Sequence, residues 1–200
     1  MPVTEDVISS LKKVLNRMAA QTRNAKDIVL AEYQPIFSFD NLDSLTADDF
    51  RSFLLFKNNR HWRGLHRKVR LITEDMNKLR NALKVLIDES KPIENPIENR
   101  LDKIRPNSGE PMVKGLGKAV ITAILQTMYP EKYGIWNKIT EDGLKKLKIF
   151  PEFNRGITFG EKYKLVNTVL LDLAEKLDID LWTLDRLWWR VMKKTHTPKS

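Results

Sequence analysis

Cysteine is absent from all 200 residues of the chain. This absence excludes structural disulfides, thiolate zinc sites, iron–sulfur clusters and cysteine nucleophiles. Long apolar runs are also missing, since none approaches the roughly 18 residues that a membrane helix needs. The first residues lack the basic-then-apolar order of a signal peptide. We therefore expect a cytoplasmic protein without a membrane partner.

Cofactor motifs are missing as well. Gly115-Leu116-Gly117-Lys118 has neither the spacing nor the final Gly-Lys-Ser/Thr of a P-loop. No third glycine and no preceding strand pattern complete a dinucleotide fingerprint. His61 and His66 are five residues apart, which is not the four-residue spacing of a helical zinc site, and His196 is remote from both. We expect no metal and no cofactor.

The composition favours a basic protein with its own core. Apolar residues make up 42% of the chain, which suffices for a core without disulfides or metals. The formal net charge is +9, and the isoelectric point is about 9.6. Such a balance favours polyanionic partners, which include nucleic acid and acidic membrane surfaces. Charge alone does not distinguish between them.

The apolar pattern predicts an all-α protein. Apolar residues recur at helical spacing, and no alternating strand pattern stands out. Pro35 is expected to end the first helical stretch, and Thr46 and Thr140 are expected to cap later helices. The predicted helical stretches are residues 4–33, a helix after Thr46, residues 65–90, 140–148 and 160–178, and a last helix from Leu181 or Thr183.

The proline-rich residues 92–112 suggest a division of the chain. Four prolines occur there, and prolines disfavour continuous helix. We predict an N-terminal helical region over residues 1–91 and a C-terminal helical region over 113–200. We expect the two regions to pack as one body.

The least balanced charge lies between Arg51 and Arg70. Seven Lys or Arg, two His and one Trp occur there without any Asp or Glu. Asn58, Asn59 and Gly64 predict a turn that lifts its neighbours, including His61, toward solvent. The alternative is a solvated basic turn with its tryptophan packed over the core. The hypothesis assigns phosphate contacts to Lys57, Arg60, Arg63, Arg67 and Lys68, and a stacking contact to Trp62.

A second candidate anion site is the Gly115–Lys118 turn. Gly115 and Gly117 permit positive φ and close backbone approach. Free amides at the start of a helix favour an anion, and Lys118 adds a full charge. The alternative is a tight corner between two helices with no ligand.

This turn resembles the helix-hairpin-helix DNA-binding motif. The matching positions are Val113, Gly115 to Gly117 and the apolar stretch 119–125. The following segment "YPEKYGIWN" is similar to the one that precedes the catalytic Asp of helix-hairpin-helix DNA glycosylases. Asn137 stands at the position of that Asp, and an amide cannot act as the required carboxylate. Lys118 lies near the place of the family's Schiff-base lysine, so it is the catalytic candidate if the chain is a glycosylase or lyase.

A second resemblance covers more of the chain. The segments "FRSFLLFKNNRHW", "TFGEKY" and "LWTLDRLWW" look like segments of prokaryotic N-terminal regions associated with McrB-like restriction ATPases. This resemblance implies a DNA-recognition module whose ATPase and nuclease lie in another subunit or domain. We expect no enzymatic activity in the chain itself.

The tryptophans leave a further alternative open. Trp182 and Trp189 fall roughly on one face of the last helix, which indicates either core packing or a platform for a base or a partner helix. Trp136 and Asn137 lie in an irregular segment and are candidate base contacts. The main hypothesis is thus DNA binding through phosphates. The alternatives are a DNA glycosylase and a protein-interaction module built on the Trp-rich helix.

Overall fold

A computed structural model of the chain describes residues 3–18 and 22–193. Within these ranges all regular structure is helical and no strand occurs, which confirms the predicted all-α class. Short 3₁₀ segments occur at Phe39–Ser44 and Leu65–Lys68. In chain order the α-helices are α1 (Glu5–Leu15), α2 (Thr22–Phe37), α3 (Ala47–Leu54), α4 (Phe56–Asn59), α5 (Val69–Ile72), α6 (Met76–Ile87), α7 (Ile97–Ile104), α8 (Lys118–Met128), α9 (Lys138–Lys146), α10 (Phe159–Leu177) and α11 (Leu181–Lys193).

Local capping chemistry accounts for several helix starts. Thr46 and Asp49 form a reciprocal capping box at the start of α3, as predicted for Thr46. The last helix, α11, begins at Leu181, one of its two predicted starts. In contrast, α9 begins at Lys138, before the predicted cap Thr140. The reason is that the Asn137 side chain accepts the free amides of that first turn.

Two predicted helices are interrupted. The stretch 65–90 breaks between α5 and α6, because the Asp75 carboxylate accepts the amide of Lys78 at 3.0 Å and so starts a new helix. The stretch 4–33 divides into α1, which ends at Leu15, and α2. Pro35 was predicted to stop a helix, yet α2 continues past it to Phe37. Pro35 removes one backbone hydrogen bond, and α2 ends two residues later, so the interruption is confined to its last turn.

The proline-rich range 92–112 contains α7, which packs against α6 and α10. Its Arg100 is fully buried and donates to the carbonyl oxygen of Leu86 at 2.8 Å and to the hydroxyl of Tyr133 at 2.9 Å. The Glu89 carboxylate also accepts from Arg100 and balances its buried charge. This part of the predicted connection is therefore an integral layer of the core.

The N-terminal and C-terminal regions share one hydrophobic core. A continuous cluster of buried apolar side chains runs from Ile8 in α1 to Val191 in α11. Helix α2 packs on α8, and α1 packs on both α10 and α11. The basic stretch before α6 also contacts the last helix, because Trp62 packs on Trp182 of α11.

Candidate nucleic-acid interface

The turn after α4 is fixed from beneath by Asn59. Its side chain is fully buried, and its Nδ2 donates to the carbonyl oxygen of Phe53 at 2.9 Å. Its Oδ1 accepts the backbone amides of His61 at 3.0 Å and of Trp62 at 2.8 Å. Three otherwise unpaired backbone groups are thereby satisfied by one side chain. The turn is held in place before any ligand arrives.

Arg60 adopts a backbone conformation that is uncommon for a residue with a side chain. Its φ is 54°, in the left-handed region, and its amide donates to the carbonyl oxygen of Phe56 at 2.8 Å. This conformation costs about 1 kcal/mol for a residue other than glycine. The bonds of Asn59 on either side of Arg60 impose it, and they leave the Arg60 side chain exposed.

His61 and Trp62 are buried, so their predicted exposure is wrong. The Trp62 indole N–H donates to Oδ2 of Asp185 in α11 at 3.0 Å. His61 Nε2 lies 2.8 Å from the same oxygen, although not aligned as a hydrogen bond, and its ring stacks on Trp182 at 4.4 Å. Trp62 is 2% exposed and packs edge-on against Phe53. It anchors the turn and is not available for stacking against a base.

Residues 57–70 are here called the basic segment, and all of its lysine and arginine side chains are exposed. Within the part of the chain that the structure describes, none of them forms an ion pair with an acidic residue, whereas the nearby Arg51 pairs with Asp48 at 2.6 Å. Exposed, unpaired guanidinium groups are free to contact phosphates. These cations are Lys57, Arg60, Arg63, Arg67, Lys68 and Arg70.

Gly115 of the Gly115–Lys118 turn packs against Leu71 and Ile72, which directly follow the basic segment. Gly115 has a φ of 83°, and a Cβ atom there would lie 3.1 Å from Leu71 Cδ2, so any other residue would be strained at this position. Gly117 has an ordinary φ of −89° and is the N-cap of α8. The preceding helix α7 ends at Ile104 and Met112 donates back to the carbonyl oxygen of Ile104 at 3.0 Å. Residues 105–117 therefore join the two helices.

Lys118 already has an acidic partner. Its ammonium lies 2.5 Å from Oε2 of Glu141 in α9, and Lys145 contacts the other oxygen, also at 2.5 Å. Burial on its own raises the pKa of Glu141, but the hydrogen bonds and charges of the two lysines outweigh it and lower that pKa to about 2. Glu141 is thus a carboxylate at neutral pH. A phosphate that binds Lys118 has to compete with it.

Trp136 and Asn137 are engaged within the fold. Trp136 is 5% exposed, with Phe159 stacked on it at 5.9 Å and the Lys118 ammonium 4.3 Å from its ring centroid. The Asn137 Oδ1 accepts the amides of Ile139 at 2.8 Å and Thr140 at 3.0 Å. Asn137 therefore caps α9, a role that asparagine and aspartate perform equally well.

The two basic elements are neighbours in space. Leu71 and Ile72, which follow the basic segment, contact Gly115. Asp185 provides a second link, because its Oδ2 accepts from Trp62 while its Oδ1 lies 3.4 Å from the Thr140 hydroxyl, in the first turn of α9. Glu141, the partner of Lys118, is the next residue. Gly115 thus contacts the chain directly after the basic segment, and Asp185 joins the turn of that segment to the first turn of α9.

The tryptophans of α11 contribute mainly to the core. Trp182 is 1% exposed and Trp188 is fully buried, whereas Trp189 is half-buried. Trp182 contacts both His61 and Trp62. Core packing, one of the two interpretations of this helix, accounts for Trp182 and Trp188.

Sequence reasoning missed that two buried polar residues, Asn59 and Asp185, fix this surface. Asp185 is the most informative of them, because it interrupts the apolar run "LWTLDRLWW" at a buried position. A carboxylate on an apolar face needs donors from another element, and that signal was present in the sequence. Which donors it meets depends on how α11 packs against the turn after α4.

A cavity of about 660 Å³ lies beside this surface, between residues 71–78 and 110–114. Its charged lining residues are three acids and two lysines, and each lysine is paired with an acid of the lining, so we assign no DNA contact to it; they are Glu74, Asp75, Glu110, Lys78 and Lys114. Within residues 3–18 and 22–193, no three His, Asp or Glu side chains are grouped to hold a metal, and no helix is long and apolar enough to cross a membrane. His196 lies outside the described residues.

Comparison with known proteins found no counterpart. No family model, no curated protein and no solved structure matches the chain. Proposals about function therefore rest on the residues and their geometry.

Proposed function

We propose that this chain binds DNA, mainly through the phosphate backbone, with the basic segment as the principal contact. One observation supports this proposal most: a turn held from beneath by buried side chains carries exposed cations that no acidic residue neutralises. A rigid scaffold reduces the entropy lost when a phosphate is bound. Arginine, the more frequent cation here, also matches phosphate geometry better than lysine does.

The Gly115–Lys118 turn is a secondary contact in this proposal. It adjoins the basic segment, and the amides at the start of α8 have no side-chain cap. Lys118 contributes less than the exposed arginines, because Glu141 offsets its charge. Removing Glu141 should therefore reveal the full contribution of Lys118.

A matched pair of variants tests the main contact. Arg60→Gly removes a cation and suits the left-handed backbone at that position, and Arg63→Gln removes a second cation without shortening the side chain greatly. Each lost phosphate contact should reduce the salt slope for duplex DNA by about 0.9. The control is Arg51→Gln, which changes the net charge by one unit, as either single variant does, but removes a cation already paired with Asp48.

The expected result is weaker binding and a smaller salt slope for each of the single variants Arg60→Gly and Arg63→Gln. The control should bind almost as tightly as the wild type, with an unchanged slope. If Arg51→Gln weakened DNA binding as much as Arg60→Gly or Arg63→Gln does, only the overall charge would matter. That outcome would contradict the assignment of the basic segment as the contact.

DNA glycosylase activity is the weaker candidate function. The nitrogen of Lys118 is engaged by Glu141, and the Asn137 amide oxygen is used to cap α9. The assay is release of damaged bases from oligonucleotides, together with borohydride trapping of a covalent complex. A trapped complex that disappears in Lys118→Ala would establish this activity, whereas intact substrates would exclude it for the lesions tested.

A further inference from the structure

Phe56 is the exposed aromatic residue of the surface around the basic segment. It begins α4 and is 40% exposed, although it borders Lys57 and lies one turn before Arg60. The Arg63 guanidinium carbon lies 4.6 Å from the centroid of its ring. The guanidinium group therefore lies over one face of an exposed ring, where Trp62 was predicted to provide the aromatic contact.

The pair is positioned by the same buried contacts that fix the turn. Phe56 accepts the amide of Arg60 through its carbonyl oxygen at 2.8 Å. Arg63 directly follows Trp62, whose indole is bound to Asp185. Asn59 ties the intervening backbone to Phe53. Little backbone freedom remains to be lost when a flat ligand stacks here.

We propose that Phe56 and Arg63 form a stacking site for an unpaired base of a single-stranded nucleic acid, with the neighbouring cations on the flanking phosphates. This inference rests on the proposed DNA binding and deepens it. Every base has a π-face that stacks on an aromatic ring or a guanidinium plane. A base in a duplex is already stacked and cannot reach the ring without being unpaired.

An anionic membrane is the competing partner for a phenylalanine among cations. The observations favour a nucleic acid for two reasons. Arginines outnumber lysines in the basic segment, and guanidinium groups stack on bases as well as binding phosphates. The helix α4 also contains no second apolar side chain, whereas a membrane-binding helix presents several on one face.

The test compares Phe56→Ala with Phe39→Ala by titration of a single-stranded oligothymidine and of a duplex. Phe39 is the matched control, since it is 52% exposed and has the Lys84 ammonium 6.0 Å from its ring centroid. Lys84, unlike Arg63, is paired with an acid, Asp43, at 2.6 Å. Phe56→Trp is a third variant, which keeps a stacking ring and so reports on stacking rather than on folding.

Loss of one stacked base should weaken binding of Phe56→Ala to the single strand by roughly 5- to 100-fold. The salt slope should stay unchanged, because no phosphate contact is lost. Duplex binding should stay within about twofold of the wild type, as should single-strand binding by Phe39→Ala and Phe56→Trp.

Two results would overturn the inference and leave the proposed function standing. One is a wild type that binds DNA with a marked salt slope while Phe56→Ala binds the single strand equally well. The other is a Phe56→Ala variant that loses binding only to vesicles of phosphatidylserine and phosphatidylcholine and binds both DNA forms as the wild type does. If the wild type bound neither DNA form at low salt, the proposed function itself would fail.

Discussion

Replacing Asn59 with alanine removes the side chain that holds the basic segment from beneath. The change leaves the carbonyl oxygen of Phe53 and the amides of His61 and Trp62 without partners at a fully buried position. Each unsatisfied buried group costs about 1–3 kcal/mol, and partial rehydration of the turn reduces the sum. We expect the free energy of unfolding to fall by about 3–5 kcal/mol.

Urea unfolding followed by circular dichroism measures this loss. With an m-value near 2 kcal/mol/M, the midpoint should fall by roughly 1.5–2.5 M. Asn58→Ala is the matched control, because Asn58 is half-buried and donates to the carbonyl oxygen of Ser52 at 3.0 Å and its hydroxyl at 2.8 Å. Ser52 is itself only half-buried, so water can replace the Asn58 amide at these two oxygens. This change should therefore cost about 1 kcal/mol.

The comparison has a clear contradicting outcome. If Asn59→Ala cost no more than Asn58→Ala, the turn would not depend on the buried amide, and the account of a preorganised phosphate surface would be wrong. Where Asn59→Ala remains folded, its DNA affinity should also fall, although no charge has been removed. That loss should reflect the disorder introduced into the turn.

Further variants test the second contact and its surroundings. Glu141→Gln should strengthen DNA binding and steepen the salt slope by about 0.9, because it releases Lys118; unchanged binding would remove that residue from the interface. Glu141 has its pKa lowered from 4.5 to about 2, so its contribution to the free energy of unfolding is complete above pH 4.5 and is lost as the pH falls toward 2. The same variant should flatten the stability profile in that window, and an unaltered profile in acid denaturation experiments would contradict the ion pair. Gly115→Ala should cost about 1–2 kcal/mol in urea unfolding because its φ is 83°, whereas Gly117→Ala, with a φ of −89°, should cost less than about 1 kcal/mol; equal costs would refute this distinction. Asn137→Asp should alter the free energy of unfolding by less than about 0.5 kcal/mol, since aspartate caps a helix equally well, and a larger loss would show that its amide has another role.

Helical periodicity was sufficient to predict the fold class, because apolar spacing reports directly on which face of a helix is buried. Helical periodicity predicted the wrong start for helices in which a polar side chain accepts free backbone amides and so begins the helix at a different residue. Asp75 interrupts one predicted helix, and Asn137 starts another before the predicted cap. Such outcomes depend on which of several polar residues takes the cap, a choice that small differences in local energy decide.

The candidate site was only partly predictable. Residues 51–70 contain seven Lys or Arg and no Asp or Glu, so this excess of positive charge is evident from the sequence alone. Which ring faces solvent was not predictable, because Phe56 and Trp62 both border the turn. Trp62 is buried because Asp185, more than a hundred residues later, accepts its indole N–H. Long-range pairing of this kind follows from the packing of α11 and leaves no local pattern.

The salt dependence of duplex DNA binding tests the central claim most directly. With three to five phosphate contacts from the basic segment and its neighbour, the logarithm of the binding constant should fall with the logarithm of the salt concentration at a slope of about −3 to −4. A titration of the wild-type chain at two or more salt concentrations measures it. A slope near zero, or no binding at low salt, would contradict the proposal that this protein binds DNA through its phosphates.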